Sequence, residues 1–346
     1  MSRASVKKAM PERLEALAEA FHGARRVHVI THDNPDPDAL ASAFALVRLI
    51  REFTRAKAVI AFGGIVGRAE NRAMIDVLKL PVQPAETLKI RPTDAIALVD
   101  TQPATGNNSC PKRARVAVVL DHHRRRSETR RARFADVRPT YGATASILTE
   151  YLRAAEIRIT GVLATALFYG IQSETQDLGR EAAPPDVEAS LFLYPRVQKH
   201  LLSRIRHAHL PRGYFRALHQ ALGRARIRGR AVVITMGDLT YPDLVAELAD
   251  LFLRLDKIDW SICVGRFEDD ILLSIRSADP EAQASEIIRA AVGRRGFAGG
   301  HDMIAGGRVP VGGLTEEDAR LLTEELVVRV LKAVGQEDAP GFDLLE

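Results

Sequence analysis

Cysteine is nearly absent: the 346 residues contain only Cys110 and Cys263, with no CxxC spacing. A disulfide framework and a thiolate zinc site are therefore not expected, and a reducing cytoplasm is the default compartment. No uncharged apolar run approaches the roughly 18 residues needed to span a bilayer. The best candidate, Ile159 to Ile171, is too short and reads as a buried helix. The basic residues of Met1 to Met10 have no apolar stretch behind them, so no secretory signal is read there. Aromatic residues are only 5%, which argues against a long base-stacking track for single strands. No internal repeat or low-complexity tract stands out.

What is present is an ordinary globular mixture, 46% hydrophobic and 27% charged, which excludes a disordered or fibrous chain. At roughly 150 residues per domain, the length suits two domains. The formal charge of +5 is modest but unevenly placed. Between Lys112 and Arg133 nine Lys/Arg face two acids, Asp121 and Glu128. Such a run suits a polyanion (nucleic acid, nucleotides or polyphosphate), and a solvated basic loop is the plainer reading.

From Arg25 to Asp121 the pattern alternates between short β-rich runs and helical spacing. Arg26–Thr31, Lys57–Phe62, Asp94–Val99 and Arg115–Leu120 read as strands, with helices over 39–53 and near 68–78. Short Val/Ile/Leu runs separated by helices predict βαβ units and a parallel sheet covered on both faces. From Thr144 to about Gly223 the text is mostly helical. A second mixed block opens at Arg230 with a strand over 231–236 and a helix around 244–255. A hairpin over 260–267 and 271–277 turns at Glu268–Asp270. A helix near 281–292, a glycine-rich segment over 296–313 and a helix over 316–334 complete it. The expected fold is α/β: a parallel-sheet N-terminal domain over 1–182 with an N-terminal helix, a helical connector over 183–228, and a smaller α/β domain over 229–346. The active site is expected in the cleft between the domains.

Four segments place metal-type ligands after these elements. His32-Asp33-Asn34-Pro35-Asp36-Pro37-Asp38-Ala39 follows the first strand. Its prolines hold the loop extended, and Asp38 is placed to cap the next helix. Asp100 follows a second strand, Asp121-His122-His123 a third, and Gly170 to Asp177 ends a helix. Singly these are a helix cap, a turn residue and surface histidines. Jointly, their recurrence at successive strand ends points to a metal site. Clustered carboxylates repel unless cations are present. Asp36, Asp38, Asp100 and Glu174 supply four negative charges, which two divalent ions balance. Carboxylate and imidazole donors suit manganese, magnesium, cobalt or iron.

The ordered motifs HDNPDPDA at 32–39, ALVD ending at Asp100, VLDHH at 119–123 and GIQSET at 170–175 resemble the DHH phosphoesterase family, the RecJ-like group. Ser274-Ile275-Arg276-Ser277 and Gly299-Gly300-His301 resemble the substrate-binding signatures of the DHH-associated domain. The resemblance implies that His32, Asp36 and Asp100 hold one manganese, and that Asp38, Asp100, His122 and Glu174 hold the other. It makes His123 face the substrate phosphate and Asp121 orient an imidazole. Arg276, Ser277 and His301 would grip the substrate, with Gly299 and Gly300 allowing close backbone approach. The family usually carries Asp where this chain has Glu174; Asp177 is the substitute candidate.

The resemblance further implies hydrolysis by metal-activated hydroxide, as in nanoRNase and adenosine bisphosphate phosphatase enzymes. The expected substrates are short RNA or DNA oligonucleotides, linear dinucleotides or nucleotide bisphosphates. The cofactors expected are two divalent ions, manganese before magnesium or cobalt. No membrane partner is expected, and a homodimer is an open option. The alternatives are an exopolyphosphatase-like hydrolase and a catalytically weak nucleotide-binding regulator.

Overall fold

The computed structural model describes residues 3–179, 182–300 and 302–345. It falls into two compact units, Met1–Ala208 and His209–Glu346. The first contains α1 (Arg3–Ala20), β1 (Arg26–Ile30), α2 (Pro37–Phe53), β2 (Lys57–Phe62), α3 (Ala69–Leu78) and β3 (Val82–Pro84). It continues through β4 (Ala95–Val99), β5 (Val116–Asp121), β6 (Phe134–Val137), α4 (Thr144–Ala154), α5 (Gly161–Glu174), α6 (Pro184–Leu193) and α7 (Lys199–Arg206). Its six strands form a parallel sheet in the order β3-β2-β1-β4-β5-β6. The expected α/β class with a parallel N-terminal sheet is thus what the chain adopts.

The central strands, AIALV in β4 and VAVVLD in β5, are apolar up to Asp121 at the end of β5, and every one of their residues is buried. That composition demands cover on both faces. Much of that cover is α2, whose alanines and leucines bury most of its length and pack it against α4 and α5. The strand order runs outward from β1 to β3 and then restarts at β4 beside β1. Such a reversal opens a crevice at the strands' carboxyl ends.

One local expectation is corrected, and two strands join the sheet that the sequence pattern did not announce. The helix after β1 starts at Pro37, and its cap is Asp36, whose Oδ1 accepts from Ala39 N at 2.9 Å. Asp38 lies inside the first turn and does not cap it. Proline at the first position fixes the helical φ and lacks the N–H that would go unpaired, which moves the start two residues upstream. Strands β3 and β6 are short edge strands, too brief to show an alternating pattern.

The second unit contains α8 (Arg212–Arg224), β7 (Ala225–Arg228), β8 (Ala231–Asp238), α9 (Leu244–Phe252), β9 (Trp260–Phe267) and β10 (Asp270–Ser277). After these come α10 (Ala284–Val292), β11 (Phe297–Gly300), β12 (Ile304–Pro310), α11 (Glu316–Ala333) and β13 (Gly341–Asp343). They build a seven-stranded mixed sheet, β11-β12-β10-β9-β8-β7-β13, in which only the β8–β9 pair is parallel. The hairpin joins β9 to β10 with Phe267 opposite Asp270, and Glu268 takes the left-handed conformation at φ 51°. Part of the glycine-rich segment is the hairpin β11–β12. Gly300 is required there: at φ 143°, an added Cβ would lie 2.2 Å from the Ile304 carbonyl oxygen. The helices over 183–228 divide, α6 and α7 belonging to the first unit and α8 to the second.

A buried ionic knot ties the edge of the parallel sheet. Asp136 in β6 receives Arg138 through Nε and Nη2 at 3.0 and 2.6 Å, Tyr151 Oη at 2.8 Å and Arg13 Nη1 at 2.6 Å. Burial opposes a charged Asp136, but the two arginines outweigh it and hold its carboxyl below the usual range. Removing one partner of such a pair strands the other in low dielectric. Asp136→Asn should therefore lower the unfolding free energy by about 3–5 kcal/mol in urea titrations at neutral pH. The folded pKa lies below the unfolded one, so this contribution is full above pH ~4 and is lost as pH falls through the folded value. A gap between wild type and variant that stays constant down to acid pH would contradict this account.

Candidate metal centre

Loops following β1, β4 and β5 bring the expected acids and histidines together at one end of the parallel sheet. Asp100, two per cent exposed, is the shared member. His32 Nε2 lies 3.6 Å from its Oδ2, and His122 Nε2 lies 3.5 Å from its Oδ1. Asp36 Oδ2 is 3.5 Å from His32 Nε2, while Glu174 Oε1 is 3.9 Å from His122 Nε2. Two groups of potential ligand atoms result, His32–Asp36–Asp100 and Asp100–His122–His123, each within 4.8 Å. Asp100 adopts φ 59°, a conformation that an Asp tolerates better than most residues. Its N–H donates to the Leu120 carbonyl at 2.9 Å and Thr144 Oγ1 donates to its Oδ1 at 2.8 Å.

The ring tautomers are set by backbone carbonyls. His32 Nδ1 donates to Asp33 O at 2.9 Å, and His122 Nδ1 donates to Tyr141 O at 3.2 Å. A carbonyl only accepts, so each Nδ1 carries its proton and each Nε2 faces the carboxylates. That second hydrogen bond is what orients a metal-ligating histidine. His123 is held differently: its Nδ1 donates to Asp121 Oδ1 at 2.8 Å. The imidazole that Asp121 orients is therefore that of His123.

These surroundings separate the two adjacent histidines. Burial, then the charge of His123, pushes His122 down to about 4. Burial also opposes charging His123, but Asp121 overrides it and raises its pKa to about 9. One ring is neutral and fit to donate a lone pair; the other is cationic at neutral pH and fit to meet an anion. Among the acids, burial and neighbouring carboxylates raise Asp100 to about 6 and Glu174 to about 8. Asp38 is raised well above its usual value by burial, with Asp100, Asp36 and Glu174 adding to it.

Asp38 is within the electrostatic reach of the cluster, yet its oxygens already serve α4. Oδ2 accepts from Thr144 N and Oδ1 from Ala145 N, both at 2.7 Å. It thus satisfies the N-terminal amides of a helix other than its own. Ser42 Oγ also donates to Oδ1 at 3.3 Å, so the further lone pair available to a cation is on Oδ2. Glu174 and Asp177 are clearly separated by geometry. Gly170 and Glu174 share a face of α5, and an added Cβ at Gly170 would lie 3.0 Å from Pro37 O and 3.2 Å from Asp38 Cα. This close approach lays the end of α5 over the cluster. Asp177 is 70% exposed and pairs with Arg206 Nη2 at 2.7 Å.

Arg276, Ser277, Gly299 and Gly300 belong to the second unit; His301 lies outside the described residues. Arg276 is buried, its Nε on Asp250 at 2.5 Å and its Nη1 on Ser274 Oγ at 2.7 Å. Ser277 Oγ accepts from Asp279 N at 3.1 Å. An added Cβ at Gly299 would meet nothing within 4 Å. Sequence reasoning missed Thr144, Tyr141 and Gln102, because a hydroxyl, a carbonyl or an amide that serves through tertiary contact leaves no spacing signal.

The donor set fits hard or borderline divalent cations: carboxylate oxygens with imidazole nitrogens and no thiolate. Residues 26–171 match the DHH family, N-terminal domain. An uncharacterized protein of Methanocaldococcus jannaschii is 33% identical over 313 residues, covering 89% of this chain and 64% of the relative. The chain thus spans less than two thirds of that protein. An exopolyphosphatase-related protein from Bacteroides fragilis has a similar structure, with TM-score 0.65 and 14% identity over 94% of this chain and 98% of its own. RecJ from Thermus thermophilus in complex with Mn2+ gives TM-score 0.49 and 15% identity over 96% of this chain and 55% of its own. No described helix is long and apolar enough to cross a membrane.

Because Asp38, Asp100 and Glu174 hold protons more tightly than free carboxylates, a cation must displace protons to bind. Manganese affinity measured by calorimetry should rise as pH increases from 6 to 8, with net proton release. Glu174→Gln should weaken binding by more than about tenfold, the usual scale for losing a metal-supporting group. Asp177→Asn should leave it within about twofold. Equal effects of the two substitutions would remove Glu174 from the centre.

Proposed function

We propose that this chain is a two-metal phosphoesterase acting on short oligonucleotides, linear dinucleotides or nucleotide bisphosphates. The observation that carries the reading is Asp100: one buried carboxylate with an Nε2 on each side, both oriented by backbone carbonyls. A shared carboxylate is what a pair of cations requires. His32, Asp36 and Asp100 would hold one cation, and Asp38, Asp100, His122 and Glu174 the other, with manganese preferred and magnesium or cobalt as alternatives. Bound there, the ions supply an activated water and neutralise charge developing on the phosphoryl oxygens.

The chain's own residues do the rest. Thr144 fixes the Asp100 carboxylate from behind. His123, kept cationic by Asp121, presents a positively charged N–H donor to a phosphate oxygen, a charge-assisted contact stronger than a neutral one. Asp121 makes no other demand on that ring than its orientation and charge. In the second unit, Arg276, Ser277, Gly299, Gly300 and His301 are the proposed contacts to the remainder of the substrate.

An inorganic polyphosphate hydrolase is the second reading. It is motivated by the fold shared with the exopolyphosphatase-related protein and by the basic run from Arg124 to Arg133. A panel of di- to pentanucleotides, adenosine bisphosphate, cyclic dinucleotides and polyphosphate with manganese separates the two. Hydrolysis of the short nucleotides is expected, and phosphate release from polyphosphate alone would favour the alternative. Asp100→Asn should reduce turnover by at least about a thousandfold, the scale of a lost electrostatic stabiliser, with an unchanged circular dichroism spectrum. Tight nucleotide binding without turnover by wild type, and a gain on Glu174→Asp, would instead indicate a regulator.

A further inference from the structure

We infer that Asp186 is a positioning residue for the metal centre. Through the peptide unit that joins Tyr141 to Gly142, it fixes and polarises the carbonyl that orients His122. The cation on the His122 side therefore depends on Asp186, and the cation on the His32 side does not. This rests on the two-metal reading and adds to it a residue that touches no ion.

Asp186 stands in the first turn of α6 and is fully buried. Its Oδ2 accepts from Gly142 N at 2.8 Å and from Ala183 N at 2.7 Å. Its Oδ1 is also buried and has no hydrogen-bond partner among the described residues. The bond to Ala183 caps α6. The bond to Gly142 leaves the helix for a segment 44 residues earlier in the chain, and capping does not account for it.

Gly142 N and the Tyr141 carbonyl belong to one planar peptide unit, in which the N–H and the C=O point in opposite directions. Asp186 takes the N–H on one side. On the other side His122 Nδ1 donates to Tyr141 O at 3.2 Å. Holding the N–H thus sets the direction of the carbonyl, and the carbonyl sets the ring. A charged acceptor makes a stronger bond than a neutral one, and hydrogen bonds in series strengthen one another. The arrangement puts a carboxylate behind a histidine ligand with a peptide unit between them, where metal sites commonly use direct contact.

The same segment serves the rest of that half of the centre. Thr144 N and Ala145 N donate to Asp38, and Thr144 Oγ1 donates to Asp100. The other half is set without it. His32 Nδ1 donates to Asp33 O, and Asp36 Oδ1 accepts from Ala39 N. The Tyr141 hydroxyl is held separately: Arg138 Nη1 donates to it and it donates to Glu150 Oε1, both at 2.9 Å. Losing Asp186 therefore frees one peptide plane to rotate and leaves the segment in place.

The test is a calorimetric titration of manganese into the metal-free full chain, with the imidazole N–H signals of the same protein followed by NMR. Wild type should bind in two steps and show hydrogen-bonded Nδ1–H signals from His32 and His122. Asp186→Ala should weaken one step by about tenfold or more, the scale of a lost supporting partner, and leave the other within about twofold. It should shift the His122 signal and not the His32 signal. Asp186→Asn, whose amide oxygen still accepts from both amides, should recover most of the loss. Asp186→Glu covers the case of a poorly folded alanine variant. A glutamate at the third helical position still caps α6 but carries its carboxylate a methylene further, so it should move the same step and the same signal. The inference fails if both steps of Asp186→Ala weaken alike, if neither does, or if Asp186→Asn is as impaired as Asp186→Ala. A His122 signal unchanged in Asp186→Ala and Asp186→Glu overturns it whatever the ions do. A single manganese in wild type would contradict the two-metal reading alone, and the His122 signal would then decide the role of Asp186. Wild type that binds no manganese would sink both.

Discussion

Four carboxylates gathered in a poorly solvated corner repel one another, and the first unit is organised around that repulsion. Asp36, Asp38, Asp100 and Glu174 come from three different loops or helix ends, so nothing local forces them together. The parallel sheet does so, because its central strands end side by side where the strand order reverses. The result is a cluster in which Asp100 and Glu174 hold protons more tightly than free carboxylates do. Neutralising its charge is the condition under which its geometry is comfortable.

Several charged groups there are restrained by groups without charge. Backbone carbonyls of Asp33 and Tyr141 set the His32 and His122 rings. The N-terminal amides of α4 take the oxygens of Asp38, and the Thr144 hydroxyl takes one oxygen of Asp100. Gln102 connects Asp121 to the loop beyond His123. Such supports limit how far ligands rearrange when charge enters, which is the physical content of preorganisation. His122 and His123, neighbours in sequence, behave oppositely because burial keeps the first ring neutral while Asp121 outweighs burial at the second. One ring turns Nδ1 to a carbonyl and the other to a carboxylate.

Much of this was legible beforehand. Apolar runs flanked by helical spacing were enough to predict the parallel sheet, and the acids and histidines were visible as residues following its strands. The legibility ended where function depends on which atom a side chain faces. Asp38 read as the cap of its own helix, whereas it serves a helix more than a hundred residues away, and Asp36 is the cap. The frame around it favoured Glu174 over Asp177 as the ligand, but only the fold shows why the two differ: Gly170 brings one against α2, and Arg206 draws the other to the surface. The resemblance gave Arg276 a substrate role, and its ion pair with Asp250 is a tertiary contact that no spacing announced.

By itself the sequence determined the chemical inventory and its order along the chain: which strands are apolar enough to lie at the centre, and which ligand types follow each of them. Those are properties of composition and period, and they act within a few residues. The tertiary structure alone decided the pairing of donors with acceptors, and with it which imidazole stays neutral and which becomes cationic. That choice follows from distances between segments far apart in the chain, and electrostatic and hydrogen-bond energies depend on those distances rather than on residue type.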